Sequence, residues 1–118
     1  MKYMLMIFQN PAVFEALSKD EQTAVMNEAG ALWQELADSG EWVSGEALFA
    51  ASTAKAVRTR GGVPAVTDGP YIEAKEQLAG LLIVDVASEE RAVEIAGRWP
   101  DARYWGMEVR QLIEQPEG

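Results

Sequence analysis

The segment Leu81-Leu82-Ile83-Val84-Asp85-Val86 is the most apolar run of the chain, and it decides how the other elements must be arranged. It directly follows Asp68-Gly69-Pro70-Tyr71-Ile72-Glu73-Ala74-Lys75-Glu76-Gln77-Leu78-Ala79-Gly80, which begins as a turn and carries a cluster of charged side chains. A short apolar run without regular polar alternation is typical of a strand that is buried on both faces. We therefore predict that the charged stretch is a turn and entry segment that leads into a central strand.

A second run of the same kind, Tyr3–Phe8, opens the chain, and helical patterns follow both runs. Ser18 and Glu21 have the spacing of a capping box, and Gly40 marks the end of the helix that they begin. Ser88 is a good N-cap for a second helix, which Pro100 ends. The apolar stripes predicted to face the core are Val25, Ala29, Leu32, Trp33 and Leu36 in the first helix and Ala92, Val93, Ile95, Ala96 and Trp99 in the second.

Four further segments favour extended structure. Glu41–Phe49 is expected to form a strand, and Ala54–Arg60 and Val63–Thr67 flank the turn signal Gly61-Gly62. Arg103–Ile113 is predicted to form a last strand or strand pair. The resulting order along the chain has six positions: a strand, a helix, a strand or a hairpin, a strand, a helix and a strand.

This order predicts one α+β domain over residues 1–118, with a ferredoxin-like βαββαβ arrangement and an antiparallel sheet whose helices lie on one face. The two apolar runs then fall on the two central strands. Helices on one side leave the other face of these strands exposed, and soluble monomers rarely tolerate such a patch. We expect a homodimer that packs sheet face to sheet face. In the alternative, loops such as 43–60 fold over the open face.

Composition narrows the possible functions. The 118 residues contain neither Cys nor His, so thiolate and imidazole chemistry is excluded; we expect no metal site and no cofactor. The net charge of −9 is unfavourable for nucleic-acid binding. The N-terminal apolar run is too short for a membrane span and lacks a signal-peptide cleavage site. We expect a cytoplasmic protein that binds neither nucleic acid nor membrane.

The motif at residues 68–76 resembles the YCII-related family, in particular its branch with a DGPF-type motif followed by Glu, Lys and Glu. Tyr71 stands where that motif usually has Phe. The resemblance covers essentially the whole chain; it includes Met1–Leu5, Gly40, Gly45–Leu48, Gln77–Gly80 and Met107–Arg110. It implies a dimeric α+β barrel built from ferredoxin-like protomers. Some members are linked to extracytoplasmic-function sigma factors. The His and Asp proposed as an active-site pair in the wider family have no complete counterpart here, because the chain lacks His.

The candidate site residues are Asp68, Tyr71, Lys75 and Glu76. Asp68 is a candidate general base or ligand, although a turn-forming role beside Gly69 is somewhat favoured. Lys75 is suited to an anionic substrate, with Glu76 as a neighbouring carboxylate. In the alternative, these residues belong to a solvated run of charges with one cross-strand ion pair. We regard Asp68, Lys75 and Glu76 as catalytic candidates and all four residues as candidates for substrate binding.

Other polar and aromatic residues have alternative roles. Asp85 either forms an ion pair with one of two arginines, Arg58 or Arg110, or lies at a strand end in contact with water. The position at a strand end is favoured. Trp33 and Trp99 are expected in the core, whereas Trp42 and Trp105 are candidates for the border of a cleft with Tyr71.

Two functions agree with these observations. The first is a small-molecule-binding protein or minor enzyme with a cleft near the 68–76 motif. The alternative is a non-catalytic dimeric module that binds another protein. One form of this alternative is a module linked to transcription regulation by sigma factors. The clustered charges favour the first function and the absent His favours the second.

Overall fold

The computed structural model describes residues 1–70 and 76–114. Within these residues, six strands and four helices follow one another. The strands are β1 (Lys2–Gln9), β2 (Trp42–Ala47), β3 (Lys55–Arg60), β4 (Val63–Asp68), β5 (Gln77–Asp85) and β6 (Met107–Gln111). The helices are α1 (Pro11–Ala16), α2 (Lys19–Ser39), α3 (Glu89–Arg98) and α4 (Asp101–Tyr104), and a 3₁₀ turn spans Ala51–Thr53.

The main sheet has the strand order β2-β5-β1-β6, and its neighbours are antiparallel. This is the order of a ferredoxin-like sheet, so the predicted α+β fold is confirmed. β1 and β5 are the central strands, as their unbroken apolar runs predicted. Their register places Tyr3 opposite Val84 and Leu5 opposite Leu82.

Capping residues fix the helix ends that the sequence predicted. The Ser18 hydroxyl accepts from the Glu21 backbone N–H at 3.1 Å, and the Glu21 carboxylate accepts from the Ser18 N–H at 3.2 Å. Gly40 ends α2 in the left-handed region at φ 78°, and Ser88 caps α3. The helices bury their apolar sides against one sheet face. The core is made of Tyr3, Leu5, Leu32, Leu36, Leu82, Val84, Val86, Ala92, Ile95, Ala96 and Trp99.

The other sheet face carries a continuous apolar strip. Side chains alternate across a strand, so the residues between the core positions of β1 and β5 point away from the helices. These residues are half-buried; they are Met4, Met6, Phe8, Leu81 and Ile83. Charged side chains on the edge strands border the strip, with Glu46 opposite Leu81 and Glu108 opposite Met6. We call this surface the open face.

β3 and β4 form a separate two-stranded hairpin between β2 and β5. Gly61 and Gly62 make its turn with φ values of 57° and 79°, the pair of positive angles that a type I′ turn needs. The radius of gyration is 16.5 Å, whereas a compact chain of this length has about 13.5 Å. The thinnest dimension of the molecule is 18 Å, which corresponds to one sheet and one helix layer. The chain is therefore a flat body with a projecting hairpin.

Several sequence-based predictions were wrong in detail. The strand predicted over Arg103–Ile113 begins only at Met107, because Asp101–Tyr104 forms the short helix α4 after Pro100. Trp33 and Val93 lie on the predicted apolar stripes but are exposed, since they sit at the margins of those stripes. Trp105 is buried rather than at the border of a cleft. In the described ranges, no helix combines the length and the apolar character that a membrane crossing requires.

Candidate functional site

A cleft of about 530 Å³ lies between the base of the hairpin and the end of the main sheet. Its volume is within the range of small-molecule sites, roughly 300–1,000 Å³. Apolar side chains dominate its wall, and Lys55 supplies a charged group. The described lining residues are Leu48, Phe49, Ala50, Ala51, Thr53, Ala54, Lys55, Ala56, Val57, Pro70, Gln77 and Leu78.

Backbone hydrogen bonds hold the walls of the cleft in place. The Leu48 N–H donates to the Ala79 carbonyl at 2.9 Å, which extends the pairing of β2 and β5 beyond the strand end. The Gly69 N–H donates to the Ala54 carbonyl at 2.8 Å, which closes the hairpin base. The cleft is thus framed by two antiparallel pairs that meet at the connection from β2 to β3.

Asp68 lies at the end of β4, directly opposite Lys55 on β3. Its carboxylate forms an ion pair with the Lys55 ammonium, and its side chain is 88% exposed. Gly69 has φ 91°, so the turn at this point does use the conformational freedom of glycine. Among the described residues, the hydrogen bond that the structure gives the Asp68 carboxylate comes from Lys55. The site of Asp68 is therefore an exposed, charge-paired position beside the cleft.

Tyr71 and Lys75 lie outside the described residues, so their proposed roles stay predictions. Glu76 is exposed and immediately precedes β5. Pro70 and Gln77, the described residues closest to 71–75 apart from Glu76, both line the cleft. The described residues Pro70 and Gln77, which flank residues 71–76, therefore both lie at this cleft.

Sequence reasoning missed Lys55 and Phe49. Lys55 was predicted to be an ordinary strand residue, although a two-residue turn at Gly61-Gly62 pairs positions 55 and 68 by simple counting. Phe49 is 91% exposed after the end of β2. No signal in the sequence distinguishes it from a core aromatic residue.

The remaining candidates have ordinary structural partners. Asp85 ends β5 half-exposed, so the predicted strand-end position is confirmed. The structure differs from the prediction in one respect, because the carboxylate also accepts a hydrogen bond from the Met1 ammonium at 2.9 Å. Trp42 packs on the core and makes an edge-to-face contact with Trp33, with ring centres 6.3 Å apart. The Trp105 indole N–H donates to Asp101 at 2.7 Å.

The helix layer carries three Arg–Glu pairs that connect α2 and its C-terminal end to α3 and α4. Two of them are exposed; Arg98 binds Glu35 and Arg103 binds Glu28 through two hydrogen bonds each. The third is more enclosed, with Arg91 donating to both Glu41 oxygens at 2.8 and 2.9 Å. The Arg91 hydrogen bonds hold the pKa of Glu41 below its ordinary value. We interpret these pairs as structural connections because each carboxylate is matched to a guanidinium.

Asp101 is the buried carboxylate of the described structure. Desolvation raises its pKa, and the hydrogen bond from Trp105 opposes this shift. Asp101 is not among the described residues that line the cleft, and its carbonyl accepts hydrogen bonds from the Trp105 and Gly106 N–H groups in the turn between α4 and β6. Within residues 1–70 and 76–114, no three carboxylates are grouped in a way that could hold a metal ion.

Comparison with known proteins agrees with the fold and the motif. A model of the YCII-related domain matches residues 1–115. The chain is also similar to Uncharacterized protein R00369 of Rhizobium meliloti (strain 1021), with 31% identity over 96 residues, which are 81% of this chain and 77% of that protein. The family model covers nearly the whole sequence, including both central strands and the 68–76 motif. The chain belongs to the YCII-related family.

Proposed function

We propose that this protein binds a small molecule in the cleft between the hairpin base and the main sheet. The observation that carries the proposal is the position of the cleft, which is lined by Pro70 inside the 68–76 motif and by Gln77 directly after it. Ligand sites are typically apolar concavities with a few placed polar groups, and this cleft has that composition. The proposal concerns binding, and no reaction is assigned.

The chemistry of the wall favours a ligand with an apolar body and an acidic group. Phe49, Val57 and Leu78 offer apolar contact. Lys55 lies at the same wall with its ammonium held by Asp68, so an anionic ligand group would compete with that carboxylate. Lys75 adds a second cation in the motif, with Tyr71 and Glu76 as further candidate contacts. Asp68, Lys75 and Glu76 are the candidates for any acid–base step, since the chain has no His.

We also propose that the functional unit is a homodimer formed through the open face. The apolar strip of β1 and β5 supports this proposal because isolated soluble chains rarely expose such a surface. The charged residues Glu46 and Glu108 at its borders resemble the polar rim of an interface. Sedimentation equilibrium tests the dimer, and a species of 12.9 kDa at micromolar concentration would refute it.

The binding proposal is tested by a thermal-shift screen against a library of small metabolites that includes aromatic and aliphatic carboxylic acids. A ligand that binds only the folded state raises the melting temperature in a concentration-dependent way. Two variants locate the site. Ala51→Phe adds bulk inside the cleft, and Lys75→Ala removes the motif cation.

A matched control is Lys19→Ala, which removes an exposed lysine at the start of α2, far along the chain from the cleft. A hit that is lost in Ala51→Phe and Lys75→Ala but kept in Lys19→Ala supports the proposed site. A hit that persists in Ala51→Phe would place binding elsewhere on the protein.

A further inference from the structure

The hairpin formed by β3 and β4 presents an apolar face that the chain itself leaves exposed. Val57 and Val66 are directly opposite each other on this face, and they are 56% and 61% exposed. Pro64, paired with Thr59, continues the same face toward the turn. An isolated two-stranded hairpin is only marginally stable in water, so this element needs a packing partner.

The exposed face of the hairpin is continuous with the open face of the main sheet. Val57 and Leu78 line the same cleft, and Leu78 pairs with Phe8 at the end of the apolar strip. Phe49 also lines this cleft, and its aromatic side chain is 91% exposed. A partner that covers the open face therefore meets the hairpin as the next part of the same surface.

The open face alone is smaller than a standard dimer interface, which is a reason to expect that the hairpin also contributes to the contact between protomers. Four strands spaced about 4.8 Å apart, with central strands near 28 Å long, give a flat outline of roughly 500 Å². A standard interface buries about 800 Å² on each partner. One face of the hairpin, about 10 by 20 Å, adds roughly 200 Å². Sheet and hairpin together approach the size that a stable dimer needs.

Charge also favours a second copy of this chain as the occupant. The hairpin, residues 55–68, contains three basic side chains, Lys55, Arg58 and Arg60, and one acidic one, Asp68, which pairs with Lys55. The whole chain has a net charge of −9, so two identical bodies repel each other. The hairpin keeps an excess of two basic side chains, Arg58 and Arg60, on the face away from Val57 and Val66. When the hairpin lies on the acidic partner, this excess offsets part of the repulsion.

We propose that the hairpin acts as a clasp, with its Val57/Val66 face lying against the open sheet face of a second copy. The proposal rests on the homodimer described under Proposed function. In this arrangement each protomer contributes its hairpin to the other, and the apolar surface around Phe49 is covered only in the dimer.

The test compares the dimer dissociation constants of two double variants by sedimentation equilibrium. Val57→Gln/Val66→Gln makes the clasp face polar. Val63→Gln/Val93→Gln is the matched control, because these valines are 67% and 54% exposed, the first on the opposite hairpin face and the second on α3. Each substitution counts twice in a symmetric dimer, so the clasp variant should weaken dimerisation by about a hundredfold relative to the control. A difference below about tenfold overturns the clasp.

A crosslinking experiment covers the case in which the clasp variant loses its hairpin structure. The residue p-benzoylphenylalanine is placed at position 66, and ¹⁵N-labelled and unlabelled protein are mixed before irradiation. Crosslinked peptides that combine both isotopes support contact with a second copy, whereas crosslinks within one isotope only, or none, overturn it. A parent protein that is monomeric overturns the homodimer as well, while a dimeric parent with a failed clasp overturns the clasp alone.

Discussion

Lys55 on β3 and Asp68 at the end of β4 form an ion pair at the base of the hairpin, beside the candidate cleft. The pair joins Asp68, the first residue of the 68–76 motif, to a lysine that lies outside this motif. Both side chains are largely exposed, and exposed ion pairs contribute little to stability. The arrangement therefore keeps a charged group available at the cleft without making the fold depend on it.

The first prediction concerns the Asp68 carboxylate. Asp68→Asn keeps the shape of the side chain and removes its charge, so the melting temperature should stay within about 2 °C of wild type. Binding of an anionic ligand should be maintained or strengthened, since the competing carboxylate is gone. Differential scanning fluorimetry with and without the screened ligand measures both effects. A large loss of melting temperature would show that Asp68 is a structural residue of the turn.

The second prediction compares two carboxylates that bind the same guanidinium. Glu41 accepts two hydrogen bonds from Arg91 and is only 18% exposed, whereas Glu94 accepts one and is 59% exposed. Glu41→Gln should lower the free energy of unfolding by about 1–3 kcal/mol, because it removes the more enclosed carboxylate and leaves the partly buried guanidinium with only the exposed Glu94 as a charged partner. Glu94→Gln serves as the control and should have a much smaller effect. Equal losses in urea unfolding would contradict the structural role assigned to Glu41.

The third prediction is a pH dependence with two opposite signs. Hydrogen bonds from arginine lower the pKa values of Glu28, Glu35 and Glu41. Their contribution to stability is present above the ordinary glutamate pKa of 4.5 and is lost as the pH falls through their lower folded values. Burial raises the pKa of Asp101, so its contribution is greatest at low pH and is lost as the pH rises through its folded value.

Asp101→Asn separates the two effects. The amide that replaces the carboxylate keeps an acceptor for the Trp105 indole but does not ionise. Relative to wild type, the variant should gain stability as the pH rises from the ordinary aspartate pKa of 3.8 to the raised pKa of folded Asp101. Urea unfolding followed through tryptophan fluorescence from about pH 3 to pH 7 measures this gain. A constant difference between the two proteins across this range would show that Asp101 ionises as easily in the folded state as in the unfolded chain.

The fourth prediction concerns the close contact of Gly45 with Trp42. A Cβ atom at residue 45 would lie 2.5 Å from Cη2 of the Trp42 ring, so the ring occupies the space that glycine leaves. Gly45→Ala should displace the ring and destabilise the protein by about 1–3 kcal/mol. Gly30→Ala is the matched control, since a Cβ there meets no described atom within 4 Å. Helix propensity even favours alanine at that position. If Gly45→Ala leaves the free energy of unfolding unchanged, the Trp42 ring moves without any loss of stability.

The main sheet could be predicted from sequence because its determinants are local. Two unbroken apolar runs predicted the central strands, and Ser18, Gly40 and Ser88 predicted helix ends through their own capping chemistry. Arg103 and Tyr104 were assigned to a strand because their apolar spacing resembles that of the residues after them. The structure has a helix there instead, and Trp105 donates a hydrogen bond of 2.7 Å to Asp101, four residues earlier, a contact that the apolar spacing does not indicate.

The candidate site was less predictable because it depends on contacts between distant segments. Asp68 was identified from its motif, but its partner Lys55 lies 13 residues earlier. The exposed position of Phe49 follows from the end of β2 at Ala47, whereas the sequence pattern extended that strand to Phe49. The cleft arises where β2, the hairpin and β5 meet, and no single segment encodes it.

The central claim is that the cleft beside the 68–76 motif binds a small molecule, and the thermal-shift screen of wild type, Ala51→Phe, Lys75→Ala and Lys19→Ala tests it most directly. We predict at least one carboxylic-acid ligand that stabilises wild type and Lys19→Ala but not the other two variants. The proposed site is contradicted if every stabilising ligand acts equally on all four proteins, or if a broad library contains none.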